Sequence, residues 1–125
     1  MTVNEVKHVL LVEDEPVTSK VFEKILSKQG CEVTAFDDGE AALEMIRIKH
    51  FNLYIFDIRT PKLGGMELFR LLQEEQPNYS HNVLFTTGDL LSTSIEKMLK
   101  STNRPYLLKP FTPDELRTAI RNILN

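Results

Sequence analysis

Five short apolar runs alternate with five amphipathic stretches along the chain, and this alternation limits the possible folds more than any other feature. Each run has four to six residues and contains β-branched or aromatic side chains. The runs are residues 8–13 (HVLLVE), 31–36 (CEVTAF), 53–57 (LYIFD), 82–86 (NVLFT) and 106–109 (YLLK). Runs with so few polar interruptions are typical of strands that are buried on both faces, as in a parallel sheet.

The stretches between the runs have the apolar spacing of helices. Gly30 is placed to end the first helix, and Thr112 and Pro113 are placed to begin the last one. Ser92 or Ser94 is placed to cap the fourth. The predicted core-facing residues are Val17, Val21, Phe22, Ile25 and Leu26; Ala41, Ala42, Met45 and Ile46; Met66, Phe69 and Leu72; Leu91, Ile95, Met98 and Leu99; and Leu116, Ala119, Ile120 and Ile123.

Alternating strands and helices predict an α/β fold with a doubly wound, five-stranded parallel sheet, a (βα)5 arrangement. The crossovers should be right-handed, and the strand order 2-1-3-4-5 is the natural choice for five strands. We interpret residues 1–125 as one domain, since this length suits a single folding unit. In such sheets ligands bind beyond the carboxyl ends of the strands, between the first and the third.

Composition argues against several classes of function. The net charge is −3, and Lys and Arg are scattered, so direct nucleic-acid binding through a basic face is not expected. No apolar run exceeds four residues, so no membrane span is predicted, and the first residues do not resemble a signal peptide. The single cysteine, Cys31, cannot form an internal disulfide, which fits a cytoplasmic location.

Polar side chains follow the predicted strand ends where the sheet should bind a ligand. Glu13 and Asp14 follow the first strand, Asp57 ends the third, Thr87 follows the fourth, and Lys109 ends the fifth. Each residue alone could be a helix cap, a turn residue or a surface group, but their coincidence at one rim favours a site. Three carboxylates repel one another unless a cation intervenes. Oxygen ligands favour Mg²⁺, whereas zinc would favour His or Cys.

Four segments carry a resemblance to a known family. They are residues 9–16 (VLLVEDEP), 53–68 (LYIFDIRTPKLGGMEL), 84–89 (LFTTGD) and 106–111 (YLLKPF). With these spacings, and over essentially the whole chain, the sequence resembles the receiver domain of two-component response regulators. The resemblance implies a flavodoxin-like version of the predicted sheet.

The resemblance also implies a role for each residue at the strand ends. Asp57 is expected to accept a phosphoryl group, and Thr87 and Lys109 are expected to contact that group. Tyr106 is the expected switch aromatic, which turns inward when Thr87 moves and so remodels the face of helix four, strand five and helix five. The expected Mg²⁺ ligands are Glu13, Asp14, Asp57 and the backbone carbonyl of Arg59.

Local details follow from the same resemblance. The Lys109–Pro110 peptide is expected to be cis. Glu13 stands where Asp is more frequent, so it could contact the metal directly or through water, and Thr60 replaces a common Met. Arg59 and Asp89 either steer the hydrolytic water or are solvated loop residues.

The implied function is that of a phosphoacceptor signalling domain rather than an enzyme. A sensor histidine kinase or a histidine phosphotransfer protein would donate the phosphoryl group, and a downstream protein target would bind the switched face. A phosphorylation-dependent dimer is an open alternative for that face. A stand-alone receiver is favoured over part of a hybrid sensor kinase, although TTGDLLS and RPYLLKPF are similar to segments of hybrid-kinase receivers.

Three other functions compete with this one. A phosphorylation-independent interaction module of the same fold is the main alternative. A phosphohydrolase of the haloacid dehalogenase type would need an acid two residues after its nucleophile, where Arg59 stands. A flavin binder would need a loop rich in glycine and hydroxyls after the first strand, but Glu13, Asp14 and Glu15 would repel a phosphate there.

Overall fold

The computed structural model describes residues 5–88 and 93–124 as strands and helices that alternate along the chain. The elements are β1 (Lys7–Val12), α1 (Pro16–Lys28), β2 (Cys31–Phe36), α2 (Gly39–Ile48), β3 (Leu53–Asp57), α3 (Gly65–Glu75), a short 3-10 helix (Pro77–Tyr79), β4 (Val83–Thr87), α4 (Thr93–Ser101), β5 (Tyr106–Leu108) and α5 (Pro113–Leu124). The strands occupy the predicted apolar runs, with ends that differ by one residue at β1, β4 and β5.

The five strands form one parallel sheet in the order β2-β1-β3-β4-β5, which confirms the predicted fold class. Val12, the last residue of β1, is in register with both Phe36 and Phe56. Asp57 at the end of β3 is in register with Thr86 of β4. The residues that follow these strands therefore collect at one edge of the sheet.

Two buried layers cover the faces of the sheet, because successive strand residues point to opposite sides. The layer beneath α1 and α5 contains Val9, Leu11, Leu53, Ile55, Leu84, Phe22, Ile25, Leu26, Leu116 and Ile120. The layer beneath α2, α3 and α4 contains Leu10, Val12, Tyr54, Phe56, Val83, Phe85, Ala42, Ile46, Leu68, Phe69, Leu72 and Leu99. Burial on both faces explains why these strands are continuously apolar.

The helix α1 departs from its predicted core stripe. Phe22, Ile25 and Leu26 are buried, whereas Val17 is 77% exposed and Val21 is 44% exposed. The prediction that Val17 and Val21 face the core was therefore wrong. Residues four apart are offset by about 40° around a helix. The apolar spacing in α1 therefore fits either of two adjacent faces of the helix. The stripe with the larger apolar side chains is the one that is buried, since it removes more apolar surface from water.

Local signals end α1 as predicted and also begin α2. Gly30 has φ 80°, a left-handed conformation that suits glycine, and its N–H donates to the carbonyl of Ser27 at 3.1 Å. The Asp38 carboxylate caps α2 by accepting the N–H of Ala41 at 2.8 Å.

The last helix also starts with its predicted cap. Thr112 Oγ1 accepts the N–H of Glu115 at 3.1 Å, and Glu115 Oε1 accepts the N–H of Thr112 at 2.8 Å, which is a reciprocal capping box. In α4 the structure differs, because the helix begins at Thr93 and the candidate cap Ser94 lies inside it. The alternative cap and one residue of the predicted stripe, Ser92 and Leu91, lie outside the described residues.

Several residues with reactive side chains lie away from the strand ends. Cys31 is buried at the start of β2, as expected for a core residue. His8 is half-buried in β1, and His50 and His81 are exposed. Over residues 5–88 and 93–124, no helix combines the length and the apolar character that a membrane crossing requires.

Candidate functional site

The carboxyl ends of four strands bring the predicted site residues to one edge of the sheet. Glu13 and Asp14 follow β1, Asp57 ends β3, Thr87 ends β4, and Lys109 follows β5. Thr87 was predicted just beyond the fourth strand and is instead its last residue. The Lys109–Pro110 peptide is cis, as predicted.

A buried cluster of opposite charges forms the centre of the site. The Lys109 Nζ atom lies 2.6 Å from Glu13 Oε1 and 2.9 Å from Asp57 Oδ2. Glu13 is 2% exposed and Asp57 is 5% exposed, so these contacts are shielded from water. The backbone N–H of Lys109 donates to the carbonyl of Thr87 at 2.7 Å, which holds the lysine beside the end of β4. A single ammonium group therefore bridges two buried carboxylates.

Burial and charge both act on the ionisation of this cluster. Burial raises the pKa of Glu13, and the charge of Asp57 adds to that rise, whereas Lys109 and the N–H of Glu15 oppose it. Burial alone would lower the pKa of Lys109, but its close contacts with the carboxylates of Glu13 and Asp57 outweigh burial, and the net shift is upward. Lys109 is consequently protonated at neutral pH. The buried position of Glu13 disfavours the ionised form of its carboxyl group.

Asp14 completes a group of carboxylates that fits a cation. Its side chain is exposed, yet one oxygen each of Glu13, Asp14 and Asp57 lie within 4.8 Å of one another. The Oε1 atom of Glu13 is buried and receives no well-aligned hydrogen bond from the described residues, although Lys109 lies close to it. Three carboxylates of this kind, opposed by one ammonium group, provide the hard oxygen ligands that suit Mg²⁺.

The loop between β3 and α3, residues 58–64, orients the Asp57 carboxylate. The N–H of Arg59 donates to Asp57 Oδ1 at 3.2 Å, and Lys109 donates to Oδ2. The N–H of Ile58 donates to the carbonyl of Thr86 at 3.0 Å, so the first residue of the loop remains attached to the sheet. The Arg59 side chain is exposed. Asp89, the other residue expected beside the site, lies outside the described residues.

Thr87 and Tyr106 share one face of the sheet. The register of β4 and β5 pairs Phe85 with Tyr106 and Thr87 with Leu108. Since side chains alternate along a strand, Thr87 points to the same side as Phe85 and Tyr106. Thr87 is buried, and Tyr106 is half-buried against the layer that contains Phe85. Thr87 at the end of β4 thus connects the site at the strand ends with the face of the sheet that carries Tyr106.

One neighbour of the site, Gly39, was missed by sequence reasoning. Its N–H donates to the carbonyl of Pro61 at 3.2 Å, in the loop that follows Asp57. In the sequence, the Asp38–Gly39 pair indicates no more than a turn before a helix. The local sequence has no signal for the distant segment that packs there, so only the structure identifies this contact.

We expect Glu13→Gln to raise the free energy of unfolding by about 1 kcal/mol at pH 7 without Mg²⁺. The substitution removes a buried charge whose pKa is raised by burial, while Asp57 still pairs with Lys109. Because ionisation of Glu13 opposes folding, the gain should shrink as the pH falls from the raised pKa of Glu13 towards the ordinary value of 4.5, and it should be absent well below 4.5. Urea unfolding followed by circular dichroism, in the presence of a chelator, measures this change in the free energy of unfolding.

The matched control is Glu44→Gln, which changes an exposed carboxylate on α2. It should alter stability by less than about 0.5 kcal/mol. A loss of stability in Glu13→Gln would show that its pairing with Lys109 outweighs the cost of burying the charge.

The sequence profile described as "Response regulator receiver domain" matches residues 9–121. The probable transcriptional regulator ycf27 of Cyanophora paradoxa is 34% identical over 124 residues, which cover 99% of this chain and 50% of that protein. The aerobic respiration control protein ArcA of Escherichia coli K12 is 34% identical over 120 residues, which cover 94% of this chain and 48% of that protein. The chain therefore spans about half the length of these curated relatives.

Solved structures agree with the profile match. The receiver domain of the sensor histidine kinase PA1611 from Pseudomonas aeruginosa PAO1 is 28% identical with a TM-score of 0.85, and the match covers 96% of this chain and 98% of that one. That structure has a magnesium ion coordinated in its active site cleft. The chemotaxis response regulator CheY4 of Vibrio cholerae is 25% identical with a TM-score of 0.85, over 96% of this chain and 100% of that one. The profile covers most of the chain, which belongs to the response regulator receiver domain family of two-component signalling.

Proposed function

We propose that this domain accepts a phosphoryl group on Asp57 from a phosphohistidine donor and signals by changing a protein-binding face. The observation that carries the proposal is the Asp57 carboxylate itself, which is buried and held at both oxygens. Lys109 holds Oδ2 at 2.9 Å, and the N–H of Arg59 holds Oδ1 at 3.2 Å. The proposed donor is a sensor histidine kinase or a histidine phosphotransfer protein. The proposal includes a cytoplasmic location, which the single, buried and unpaired Cys31 fits.

The proposed chemistry is a displacement at phosphorus. An oxygen of Asp57 forms the new P–O bond, the P–N bond of phosphohistidine breaks, and the imidazole nitrogen keeps the electron pair. Because an anion must approach an anion, most of the catalysis is positioning and charge compensation. Lys109 supplies a positive charge beside Asp57 and can pair with the incoming phosphoryl oxygens. The Thr87 hydroxyl is the proposed donor to another of those oxygens.

The proposed Mg²⁺ ligands are Glu13, Asp14, Asp57 and the Arg59 carbonyl. The support is the close approach of the three carboxylates and the buried Oε1 atom of Glu13, which lacks a well-aligned hydrogen bond among the described residues. When bound, Mg²⁺ would supply positive charge that offsets the repulsion between the Asp57 carboxylate and the phosphoryl oxygens.

Incubation with acetyl phosphate and Mg²⁺ should give one phosphoryl adduct by intact mass, and omission of Mg²⁺ should greatly reduce it. The adduct should be absent in Asp57→Asn, which lacks the attacking oxygen. Glu44→Gln is the matched control, since Glu44 is an exposed carboxylate on α2 and should leave the adduct unchanged. If a folded wild type gave no adduct with acetyl phosphate or with a phosphohistidine protein, a phosphorylation-independent interaction module would replace this proposal.

An exposed apolar patch beside the site suits the proposed donor. Val17 and Val21 on α1 border a groove with Pro110 and Phe111, and Lys109 also lines it. The Phe111 ring packs on Phe22 of α1 at 5.0 Å, so helix and loop form one continuous surface. We infer that a donor helix lies on this patch and directs its phosphohistidine towards Asp57.

Val17→Glu should slow phosphorylation by a phosphohistidine protein roughly tenfold. A charge on the patch would weaken docking. The reaction with acetyl phosphate should be unchanged, because it needs no docked protein and Val17 is not among the proposed reacting or metal-binding residues. Timed intact-mass measurements with each donor check this. Val6→Glu is the control, since Val6 is 55% exposed near the opposite edge of the sheet. Equal slowing with both donors would mean that the substitution disturbs the site rather than docking.

The proposed output is a shift of Thr87 towards the phosphoryl group and an inward turn of Tyr106. Its support is the shared sheet face of the two residues and the half-buried position of Tyr106. Driving such an equilibrium from 1:99 to 99:1 requires about 5.5 kcal/mol. Charge-assisted contacts from Lys109 and the Thr87 hydroxyl could supply part of this energy. The remodelled face of α4, β5 and α5 would bind the downstream target or a second receiver.

Thr87→Ala should leave phosphorylation of Asp57 in place but uncouple it from Tyr106. The chain has three tyrosines, so fluorotyrosine NMR with acetyl phosphate can report on Tyr106 while Tyr54 and Tyr79 serve as internal references. In the wild type we expect phosphorylation to move the Tyr106 resonance, and in Thr87→Ala we expect that change to be lost. A Tyr106 shift that persists in the phosphorylated variant would exclude this route.

A further inference from the structure

We propose that Gly39, the first residue of α2, is a positioning residue for the loop of residues 58–64 that follows Asp57. The inference rests on the proposed phosphoacceptor role of Asp57 and adds a residue that touches none of the reacting groups. Gly39 acts through the main chain of Pro61 to Leu63, against which it packs. It thereby fixes the place of the Arg59 backbone beside the carboxylate.

The contact between Gly39 and the loop is too close for any side chain. A Cβ atom at position 39 would lie 1.9 Å from the Leu63 carbonyl oxygen and 2.7 Å from the Leu63 Cβ atom. The Gly39 N–H also donates to the Pro61 carbonyl at 3.2 Å, so the two segments are bonded as well as packed. An alanine here would force helix and loop apart by about 1 Å, since close-packed atoms cannot overlap.

The loop is the part that should yield to such a clash. The helix α2 is anchored in the core by buried Ala42 and Ile46. In the loop, by contrast, Pro61 and Lys62 are exposed. Lys62 has φ 68°, and the N–H of Leu63 donates to the Pro61 carbonyl at 2.7 Å. This three-residue turn is strained for a residue with a side chain, and Gly39 packs directly against it.

A short series of contacts leads from Gly39 to the carboxylate. The Leu63 carbonyl that faces Gly39 accepts a hydrogen bond from Thr60 Oγ1 at 2.8 Å. The next residue back, Arg59, donates its N–H to Asp57 Oδ1. A displacement of Leu63 is therefore passed to Thr60 and to the Arg59 backbone, which includes the proposed carbonyl ligand. A misplacement of about 1 Å can slow a positioned reaction up to about a hundredfold.

The test compares Gly39→Ala with Gly30→Ala in the full chain. Gly30 has φ 80° and no atom within 4 Å of an added Cβ, and it precedes β2 at the opposite edge of the sheet. Alanine is strained there, so the control loses stability without touching the loop. The readouts are urea unfolding, calorimetric titration with Mg²⁺, the phosphorylation rate with acetyl phosphate at saturating Mg²⁺, and the metal-free NMR resonance of the Arg59 amide.

We expect Gly39→Ala to bind Mg²⁺ about tenfold more weakly and to be phosphorylated about ten to a hundred times more slowly. Its Arg59 amide resonance should move even without metal. Gly30→Ala should lose stability but keep wild-type Mg²⁺ affinity, rate and Arg59 resonance. If Gly39→Ala is destabilised yet matches the wild type in these three readouts, α2 absorbs the clash and the proposal is overturned.

A second variant covers the case in which Gly39→Ala does not fold. Thr60→Val frees the Leu63 carbonyl from its donor without adding an atom against α2, and it should weaken Mg²⁺ binding about threefold. Unchanged affinity and an unmoved Arg59 resonance in that variant would also overturn the proposal. If no donor phosphorylates the wild type, the proposed function fails, whereas the Arg59 resonance still decides the role of Gly39.

Discussion

The bridge from Lys109 to Glu13 and Asp57 is the interaction on which the rest of the site depends. It joins groups that are far apart in sequence, and it exists because the parallel order of the sheet brings the ends of β1, β3 and β5 to one edge. One ammonium group cannot balance three carboxylates, so the cluster retains excess negative charge. In a buried site such an imbalance costs stability. The proposed cation and phosphoryl group would change the net charge of the cluster. Their binding would therefore change its stability.

An unbalanced cluster can persist only on a rigid support. The last residues of β1 and β3 before the site are fully or almost fully buried, and both faces of the sheet are covered by packed helices. Glu13 and Asp57 therefore cannot move apart without disturbing the core. The loop after Asp57 lacks such support, since Pro61 and Lys62 are exposed. This difference explains why a contact from outside the site, at Gly39, has a role in fixing the loop.

The sequence predicted those features that local chemistry or burial determines. Strands buried on both faces are continuously apolar. The side chains of Thr112 and Glu115, three residues apart, each accept a hydrogen bond from the backbone N–H of the other. The candidate site was predictable as a location, because parallel strands collect their end residues at one edge. The exposed side of α1 was not predicted, since Val17 and Phe22 both fit the helical apolar pattern and only side-chain size separates the two stripes. The contact of Gly39 with Leu63 is long-range and involves main-chain atoms, so residue types carry no signal for it.

The proposed donor patch on α1 and the Tyr106 side chain lie on opposite faces of the sheet. Val17 and Val21 lie on α1, whose core side belongs to the layer with Leu11 and Ile55. Tyr106 lies against the other layer, with Phe56 and Phe85. The Tyr106 side chain therefore lies outside the proposed donor patch, although α5 of the output face covers the same side of the sheet as α1. Thr87 is suited to link the two faces, because its carbonyl holds Lys109 at the site while its side chain points to the Tyr106 face. A change at Asp57 thus needs to move only the end of β4 to reach the opposite face.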